Sequence, residues 1–221
     1  MNPEHTRRTL TEDQQGRRLR AAERRGVRDH ALVALALTTG LREGELARLD
    51  DADVSITART GHVRVAAGKA SRPRVVPLST QTRFAITAWR EHRGQASRGL
   101  RDPALFVARD GQRLSARSVD RVIRDAGRAA GLDISPGTLR HTCATNLLRA
   151  GGDLVMVARL LGHATIDAAR LYTPPTHKTS SAHCCWQKEL SRCLSETDRE
   201  SGRCTAARTS AMWSSGLEPI G

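Results

Sequence analysis

The sequence predicts a mainly α-helical protein with one small antiparallel β-sheet, an α+β fold. Apolar residues recur at helical spacing in most segments between residues 11 and 172, and several of these segments begin at Ser, Thr or Asp and end at Gly. Only the segment 62–77 has strand-like patterns on both sides of turn residues: residues 62–66 alternate with a period of two and residues 74–77 are β-rich, which indicates a hairpin. The apolar fraction of 38% allows a sizeable core, and the aromatic fraction of 3% makes that core aliphatic.

Three helices are predicted in the first fifty residues. Thr11 is placed as the N-cap of a helix with acidic residues in its first turn and Gly26 near its end. The next segment is apolar almost all round and ends at Gly40, which predicts a buried helix. A short helix follows, and its leucines are expected to face inward: Leu41, Leu46 and Leu49.

The middle of the chain contains the predicted hairpin. Its strands are the alternating segment 62–66 and the β-rich segment 74–77, with Lys69 in or beside the turn. Ser79 is expected to cap a helix over about 80–93, since a serine hydroxyl can accept from the first free N–H groups of a helix. A loop and then a short strand with a turn are predicted from there to residue 115.

Four more helices are predicted in the next sixty residues. Ser115 caps a basic amphipathic helix that ends at Gly127 or Gly131. A turn at Pro136 and Gly137 is expected to precede a helix over about 138–150. Two shorter helices follow, one from Asp153 to Gly162 and one that ends before the prolines at 174 and 175.

The composition changes after residue 175. The last segment holds four of the five cysteines (Cys184, Cys185, Cys193 and Cys204) and has weak hydrophobic periodicity. A metal site formed by these cysteines with His177 and His183 stays open, but reduced thiols in an irregular segment are favoured because the spacing matches no zinc pattern. We therefore expect an N-terminal extension (1–10), one domain (11–175) and a flexible tail (176–221). The sequence of the tail is also compatible with a shifted reading frame.

The charge predicts a polyanionic partner. The formal net charge is +13 and the pI is about 11.1, which favours nucleic acid over a membrane surface. Arginine accounts for nearly all of the basic residues, and Lys69 is the only lysine before residue 178. Near neutral pH a lysine ammonium can give up a proton in a suitable environment, whereas a guanidinium cannot. No run of 18 apolar residues and no signal-type start is present, so a cytoplasmic protein without a membrane partner is expected.

Five residues are candidates for chemistry: Arg42, Lys69, Arg140, His163 and Tyr172. Two arginines, a lysine, a histidine and a tyrosine without a carboxylate cluster suit a phosphodiester better than an acyl group or a sugar. Arginine forks bind two phosphate oxygens and stabilise the charge of a pentacoordinate transition state, so neither a metal nor a cofactor is required. Tyr172 is the only tyrosine of the chain and follows His163 by nine residues.

Three segments carry a resemblance to a known family. "TTGLREGELARL", "GKASRPRVVPL" and "TLRHTCATNLLRAGGDLVMVARLLGHATIDAARLYTPPT" resemble, in order, the signature boxes of the tyrosine recombinase (phage integrase) catalytic domain over about residues 10–175. The resemblance implies the DNA breaking-rejoining fold and site-specific recombination or integration, as in mobile elements. In that family a tyrosine attacks the scissile phosphate of double-stranded DNA, and a 3′-phosphotyrosine and a free 5′-hydroxyl are formed without metal or ATP.

The resemblance also implies a role for each candidate. Tyr172 would be the nucleophile, Arg42 and Arg140 would bind the phosphate, and Lys69 would protonate the departing 5′ oxygen. His163 would donate a hydrogen bond to a non-bridging oxygen or orient Tyr172. Glu45 would support the fold near Arg42, and further arginines are expected to contact DNA: Arg72, Arg74, Arg117 and Arg121.

The chain departs from the family pattern at two places. Gly137 lies where the family has the first residue of His-x-x-Arg, the usual candidate for the general base. His141 could replace that base, the family could tolerate its loss, or the chain could be a decayed copy. The family's N-terminal domain that clamps DNA is also expected to be absent. The resemblance implies a tetramer on DNA or a complex with a partner recombinase, at the bacterial nucleoid. The alternative is a truncated, catalytically weak or inactive remnant that only binds DNA.

Overall fold

The protein is described from a computed structural model that covers residues 9–68, 72–96 and 103–162. These residues form seven α-helices and one three-stranded antiparallel sheet, so the predicted fold class is confirmed. The elements are, in chain order, α1 (Glu12–Arg25), α2 (Val27–Thr39), α3 (Glu43–Arg48), β1 (Val54–Ile56), β2 (Gly61–Val65), β3 (Arg74–Pro77), α4 (Thr80–Ala96), α5 (Ala116–Ala129), α6 (Pro136–Arg149) and α7 (Leu154–Leu161).

Local capping residues set the predicted helix ends. The Thr11 hydroxyl accepts from the Gln14 backbone N–H and the Gln14 side chain accepts from the Thr11 N–H, so a capping box begins α1. Helix α2 ends at Gly40, whose φ of 63° lies in the left-handed region. A Cβ on Gly40 would lie 2.6 Å from Cδ2 of Leu161, so glycine here also permits a close approach of α7.

Helix α2 is the centre of the core. Nearly every residue from Ala31 to Leu37 is buried, as the apolar sequence predicted, and the helix packs against α1, α4, α5 and α6. The three leucines around α3 are also buried, with exposed fractions of 1% to 3% at Leu41, Leu46 and Leu49. Helix α2 packs against α6, which carries Arg140, and its C-terminal end leads through Gly40 and Leu41 to Arg42 at the N-cap of α3.

The sheet contains the predicted hairpin and one additional strand. Strands β2 and β3 pair antiparallel, with Val63 opposite Val76. Strand β1 pairs with the other edge of β2, where Val54 lies opposite Val63. The sequence analysis missed β1 because three residues are too short for a period-two pattern to be recognised.

Two further predictions about local structure are wrong. Pro136 and Gly137 form the first turn of α6 and not a turn before it, because Ser135 accepts from the Thr138 N–H at 3.2 Å and acts as the N-cap. Proline fits the first helical position, where its missing N–H leaves no bond unmade. Helix α4 continues to residue 96, and the predicted strand after it contains only isolated bridges, one of which joins Val107 and Arg113.

Several predictions fall on residues outside the described ranges. These are the helix that ends in Tyr172, the tail from residue 176 and its cysteines. Within the described ranges, no helix is long and apolar enough to cross a membrane, and no three His, Cys, Asp or Glu side chains form a group that could hold a metal. Cys143 is described and buried; its thiol donates to the Thr38 carbonyl, and burial raises its pKa to about 12.

Candidate active site

The first candidate arginine lies at the beginning of α3. Arg42 is the N-cap residue, and its backbone N–H donates to Oε2 of Glu45 at 2.9 Å. Its Nη1 lies 3.5 Å from Oε1 of Glu45. The Arg42 side chain is 34% exposed, whereas that of Glu45 is 2% exposed. Among the described residues no other acceptor contacts the Arg42 guanidinium, so its outward N–H groups can bind an anion.

The second candidate arginine is buried on α6. Arg140 donates from Nη1 to the carbonyl of Gly40 at 2.8 Å and from Nη2 to the carbonyl of Leu161 at 2.6 Å. These carbonyls lie at the C-terminal ends of α2 and α7, where helices leave acceptors without an internal partner. Because Gly40 precedes Arg42 by two residues, the contact brings the two arginines to the same corner of the molecule.

Arg74 of β3 joins the same corner. Its Nη1 and Nη2 donate to Oε1 and Oε2 of Glu45, both at 2.9 Å, and its Nε donates to the carbonyl of Leu160 at 2.6 Å. The side chain is only 7% exposed. The sequence analysis expected Arg74 to contact DNA. In the structure the side chain is buried, and its three hydrogen bonds join β3 to Glu45 of α3 and to the end of α7.

Arg42, Arg74, Arg140 and Glu45 form one group, here called the arginine cluster. Arg42 and Arg74 approach the same oxygen of Glu45, while Arg74 and Arg140 bind the adjacent carbonyls of Leu160 and Leu161. Arg42 and Arg74 contact the carboxylate of Glu45, whereas Arg140 binds backbone carbonyls, so these four described residues together carry more positive than negative charge in a largely buried setting. Such an excess is stabilised by a bound anion, and arginine forks match the oxygens of a phosphate.

Three of the predicted site residues lie outside the described ranges: Lys69, His163 and Tyr172. Their sequence neighbours are described. Lys69 belongs to the connection between β2 and β3, and β3 begins with Arg74 of the cluster. His163 follows Gly162, the left-handed C-cap of α7, whose last carbonyls are bound by Arg74 and Arg140. The cluster therefore holds the chain at the point from which it continues to His163.

The position of Gly137 is open to a side chain. It lies three residues before Arg140 in α6, and among the described residues a Cβ there would meet only Oγ of Ser135, at 3.5 Å, an ordinary contact. Residues three apart share a helix face, so a side chain at 137 would lie on the side of Arg140. His141 is half-buried, and burial lowers its pKa, which keeps the imidazole neutral near pH 7.

The other predicted DNA contacts are Arg117 and Arg121 on α5 and Arg72, which precedes β3. Arg117 and Arg121 are exposed and one helical turn apart, and no described residue forms an ion pair with either. Arg124 and Arg128 on the same helix are instead paired with Asp120 and Asp125. Arg72 is exposed and likewise has no acidic partner among the described residues. Helix α5 packs against α3, which begins at Arg42.

The sequence analysis missed how the arginines are held. The backbone carbonyls of Gly40, Leu160 and Leu161 and the carboxylate of Glu45 supply the support. Carbonyl groups carry no sequence signal of their own. The signal available in the sequence was Gly40 and Gly162, which end α2 and α7, the helices whose last carbonyls hold the arginines.

Comparison with known proteins places the chain in a recognised group. The model of the phage integrase family matches residues 8–179. Tyrosine recombinase XerC of Corynebacterium glutamicum is 39% identical over 154 residues, which are 69% of this chain and 48% of that protein. The chain thus spans about half the length of the curated relatives it matches.

Two solved structures illustrate the structural likeness. The crystal structure of XerA recombinase superposes with a TM-score of 0.69 at 29% identity and covers 86% of this chain and 65% of that one. A lambda integrase tetramer bound to a Holliday junction superposes with a TM-score of 0.56 at 20% identity and covers 78% of this chain and 50% of that one. The second likeness concerns the fold alone.

Proposed function

The chain belongs to the phage integrase family, and from this premise we propose that it is a site-specific DNA recombinase whose nucleophile is Tyr172. The observation that carries the proposal is the arginine cluster. It brings Arg42 and Arg140 to one corner and binds the end of α7, which leads to His163 and Tyr172.

The proposed reaction exchanges one phosphodiester for another. The Tyr172 oxygen attacks the scissile phosphorus, the bond to the 5′ oxygen breaks, and a 3′-phosphotyrosine forms. Arg42 and Arg140 donate to the non-bridging oxygens and stabilise the added charge of the transition state. Lys69 gives a proton to the departing 5′ oxygen, and His163 donates to a non-bridging oxygen or orients Tyr172. A second 5′-hydroxyl then attacks the phosphotyrosine, which restores the DNA and the tyrosine without an external energy source.

The substrate of this reaction is double-stranded DNA. The net charge of +13 and the unpaired arginines of α5 support binding to the phosphate backbone. The lambda integrase structure is that of a tetramer on a Holliday junction. We propose a homotetramer on DNA or an assembly with a partner recombinase, located at the bacterial nucleoid, where this substrate lies.

The salt dependence of DNA affinity tests the predicted contacts of α5. Replacing both Arg117 and Arg121 with Gln is expected to reduce the slope of log K against log salt by about 2, since each lost phosphate contact contributes about 0.9. The measurement is a titration of duplex DNA at several salt concentrations.

Arg124 and Arg128 provide a matched control on the same helix. They are paired with Asp120 and Asp125, so replacing both with Gln is expected to change the slope much less. Equal reductions in the two double variants would contradict specific contacts by Arg117 and Arg121 and would leave only a general effect of charge.

The leaving-group role of Lys69 has a separate test. Lys69→Arg keeps the positive charge but cannot release a proton, so the cleavage rate is expected to fall by about 10²-fold or more. A substrate with a bridging 5′ sulfur is expected to restore the rate, because a thiolate leaves without being protonated. Cleavage of the ordinary substrate by Lys69→Arg at the wild-type rate would show that Lys69 is not the acid.

The proposed function is tested with a nicked suicide substrate that contains the recombination site. After cleavage the short fragment that carries the 5′-hydroxyl diffuses away. Because the reverse reaction then lacks its nucleophile, the covalent intermediate is trapped. A protein–DNA adduct that survives denaturation and is lost in Tyr172→Phe is the expected result. Binding to the same site without any adduct would instead make the protein a DNA-binding protein without strand-transfer activity.

A further inference from the structure

We propose that Arg74 is a positioning residue for the recombination reaction. It fixes the Arg42 guanidinium relative to the chain segment that leaves α7 toward His163 and Tyr172. This inference rests on the proposed function and assigns Arg74 a role other than a contact with DNA.

The first support is the pairing between Arg74 and Glu45. Nη1 of Arg74 donates to Oε1 of Glu45 and Nη2 donates to Oε2, both at 2.9 Å, a fork-to-fork geometry that allows one orientation of the two groups. The side chains are 7% and 2% exposed, so water does not compete for these hydrogen bonds. Glu45 in turn accepts from the Arg42 backbone and approaches its guanidinium. Arg74 therefore fixes the carboxylate that holds Arg42.

The second support is the contact of Arg74 with α7. The third nitrogen of the Arg74 guanidinium, Nε, donates to the carbonyl of Leu160 at 2.6 Å in the last turn of that helix. Carbonyls in this turn have no partner within the helix, and a cation is favourable at the negative end of the helix dipole. One guanidinium thus joins the beginning of α3 to the end of α7. Lysine could not replace it, because an ammonium is a point charge without a planar fork.

The third support is Gly162, the residue between α7 and His163. Its φ is 67°, and a Cβ there would lie 2.6 Å from Nη1 and 2.9 Å from Cζ of Arg74. The backbone at Gly162 therefore passes directly against the guanidinium. Any side chain at 162 would separate the two, so the close contact between the Gly162 backbone and Arg74 requires glycine at this position.

Kinetics of two variants test this role. Arg74→Lys keeps the charge and Arg74→Gln keeps a short hydrogen-bonding side chain, but neither can form all three contacts. The cleavage rate at saturating suicide substrate is expected to fall by about 10- to 100-fold in both, because small misplacements of catalytic groups have effects of that size. The dissociation constant and its salt slope are expected to stay at the wild-type values. Arg72→Gln serves as the comparison for the salt slope, which is expected to fall by about 1 there.

The variant Glu45→Gln extends the test to the carboxylate that pairs with Arg74. If the two residues act as one unit, the double variant Glu45→Gln/Arg74→Gln cleaves no more slowly than the worse single variant. Additive losses would overturn the claim that Arg74 acts through Glu45.

Other outcomes also decide the proposal. Wild-type cleavage rates in Arg74→Lys, or a salt slope reduced by about 1 in Arg74→Gln, would overturn it in favour of no role or of a DNA contact. Unfolding of both Arg74 variants, seen by circular dichroism, would likewise overturn it in favour of a core residue. Absence of an adduct with the wild-type protein is a different result, which contradicts the proposed function itself.

Discussion

Replacing Gly137 with histidine is expected to raise the rate of DNA cleavage by about 10²- to 10⁴-fold, the usual contribution of a general base. Tyr172 must lose its phenolic proton as it attacks, and the position that carries the family's histidine has no side chain here. Gly137 lies in the first turn of α6, one turn before Arg140, and a Cβ there makes only an ordinary contact with the described residues. A histidine side chain at this position would therefore begin on the same helix face as Arg140.

Gly137→Ala is the matched control for this experiment. Like histidine it raises the helix propensity relative to glycine, here by about 1 kcal/mol or less, but it adds no proton acceptor. The rate of Gly137→Ala is expected to equal that of the wild type, while the rate of Gly137→His is expected to rise with pH through about 6.5 as the imidazole loses its proton. Equal rates in the two variants would show that another group already acts as the base.

Replacing Arg18 with methionine is expected to raise the free energy of unfolding by about 1–4 kcal/mol, the range found when buried charges give way to apolar side chains. Arg18 lies on the inner face of α1 and is 0% exposed. Its Nε, Nη1 and Nη2 have no hydrogen-bond partner among the described residues. Methionine retains the unbranched stem and removes the charge. Urea unfolding followed by circular dichroism gives the measurement.

The same variant has a predictable pH dependence. Burial lowers the pKa of the Arg18 guanidinium from its ordinary value to about 9. Below pH 9 the residue is charged in both the folded and the unfolded state, so the buried charge destabilises the folded state to its full extent. Above pH 9 Arg18 loses its proton in the folded state while it stays protonated in the unfolded state, so this destabilisation decreases as the pH rises. The stability difference between Arg18→Met and the wild type is therefore expected to be largest near pH 7 and smaller above pH 10.

Arg20 provides the control because it is an exposed arginine on the same helix. Arg20→Met is expected to change the free energy of unfolding by less than about 0.5 kcal/mol at either pH. A change in Arg18→Met as small as that in Arg20→Met would mean that Arg18 is solvated or paired in solution.

The helices of this protein were predictable because their ends are marked locally. Thr11, Ser79 and Ser115 each accept from a backbone N–H in the first turn, and Gly40 and Gly162 adopt the left-handed conformation at helix ends. Strand β1 and the first turn of α6 were not predictable in this way. The strand is defined by its pairing with β2, and Pro136 is compatible both with a turn and with the first residue of a helix.

The residue types of the site were also easier to predict from the sequence than their arrangement in space. The isolated Lys69, the single tyrosine and the boxed arginines are visible in the sequence. Whether an arginine faces DNA or the interior depends on packing between distant segments. Arg74 and Arg72 are two residues apart, yet one is buried against Glu45 and the other is exposed. Arg18 lies in a run of charged residues that indicates a solvated face, and only the packing of α1 against α2 and α5 buries it.

The central claim, that Tyr172 becomes covalently bound to DNA, is tested most directly by identifying the modified amino acid. A suicide substrate labelled with radioactive phosphorus at the scissile phosphate is cleaved, the adduct is hydrolysed to amino acids, and the labelled residue is separated. Because the chain contains one tyrosine, labelled phosphotyrosine assigns the bond to Tyr172 without further mapping. We predict phosphotyrosine as the only labelled amino acid. Labelled phosphoserine, or label found only in free DNA, would contradict the claim.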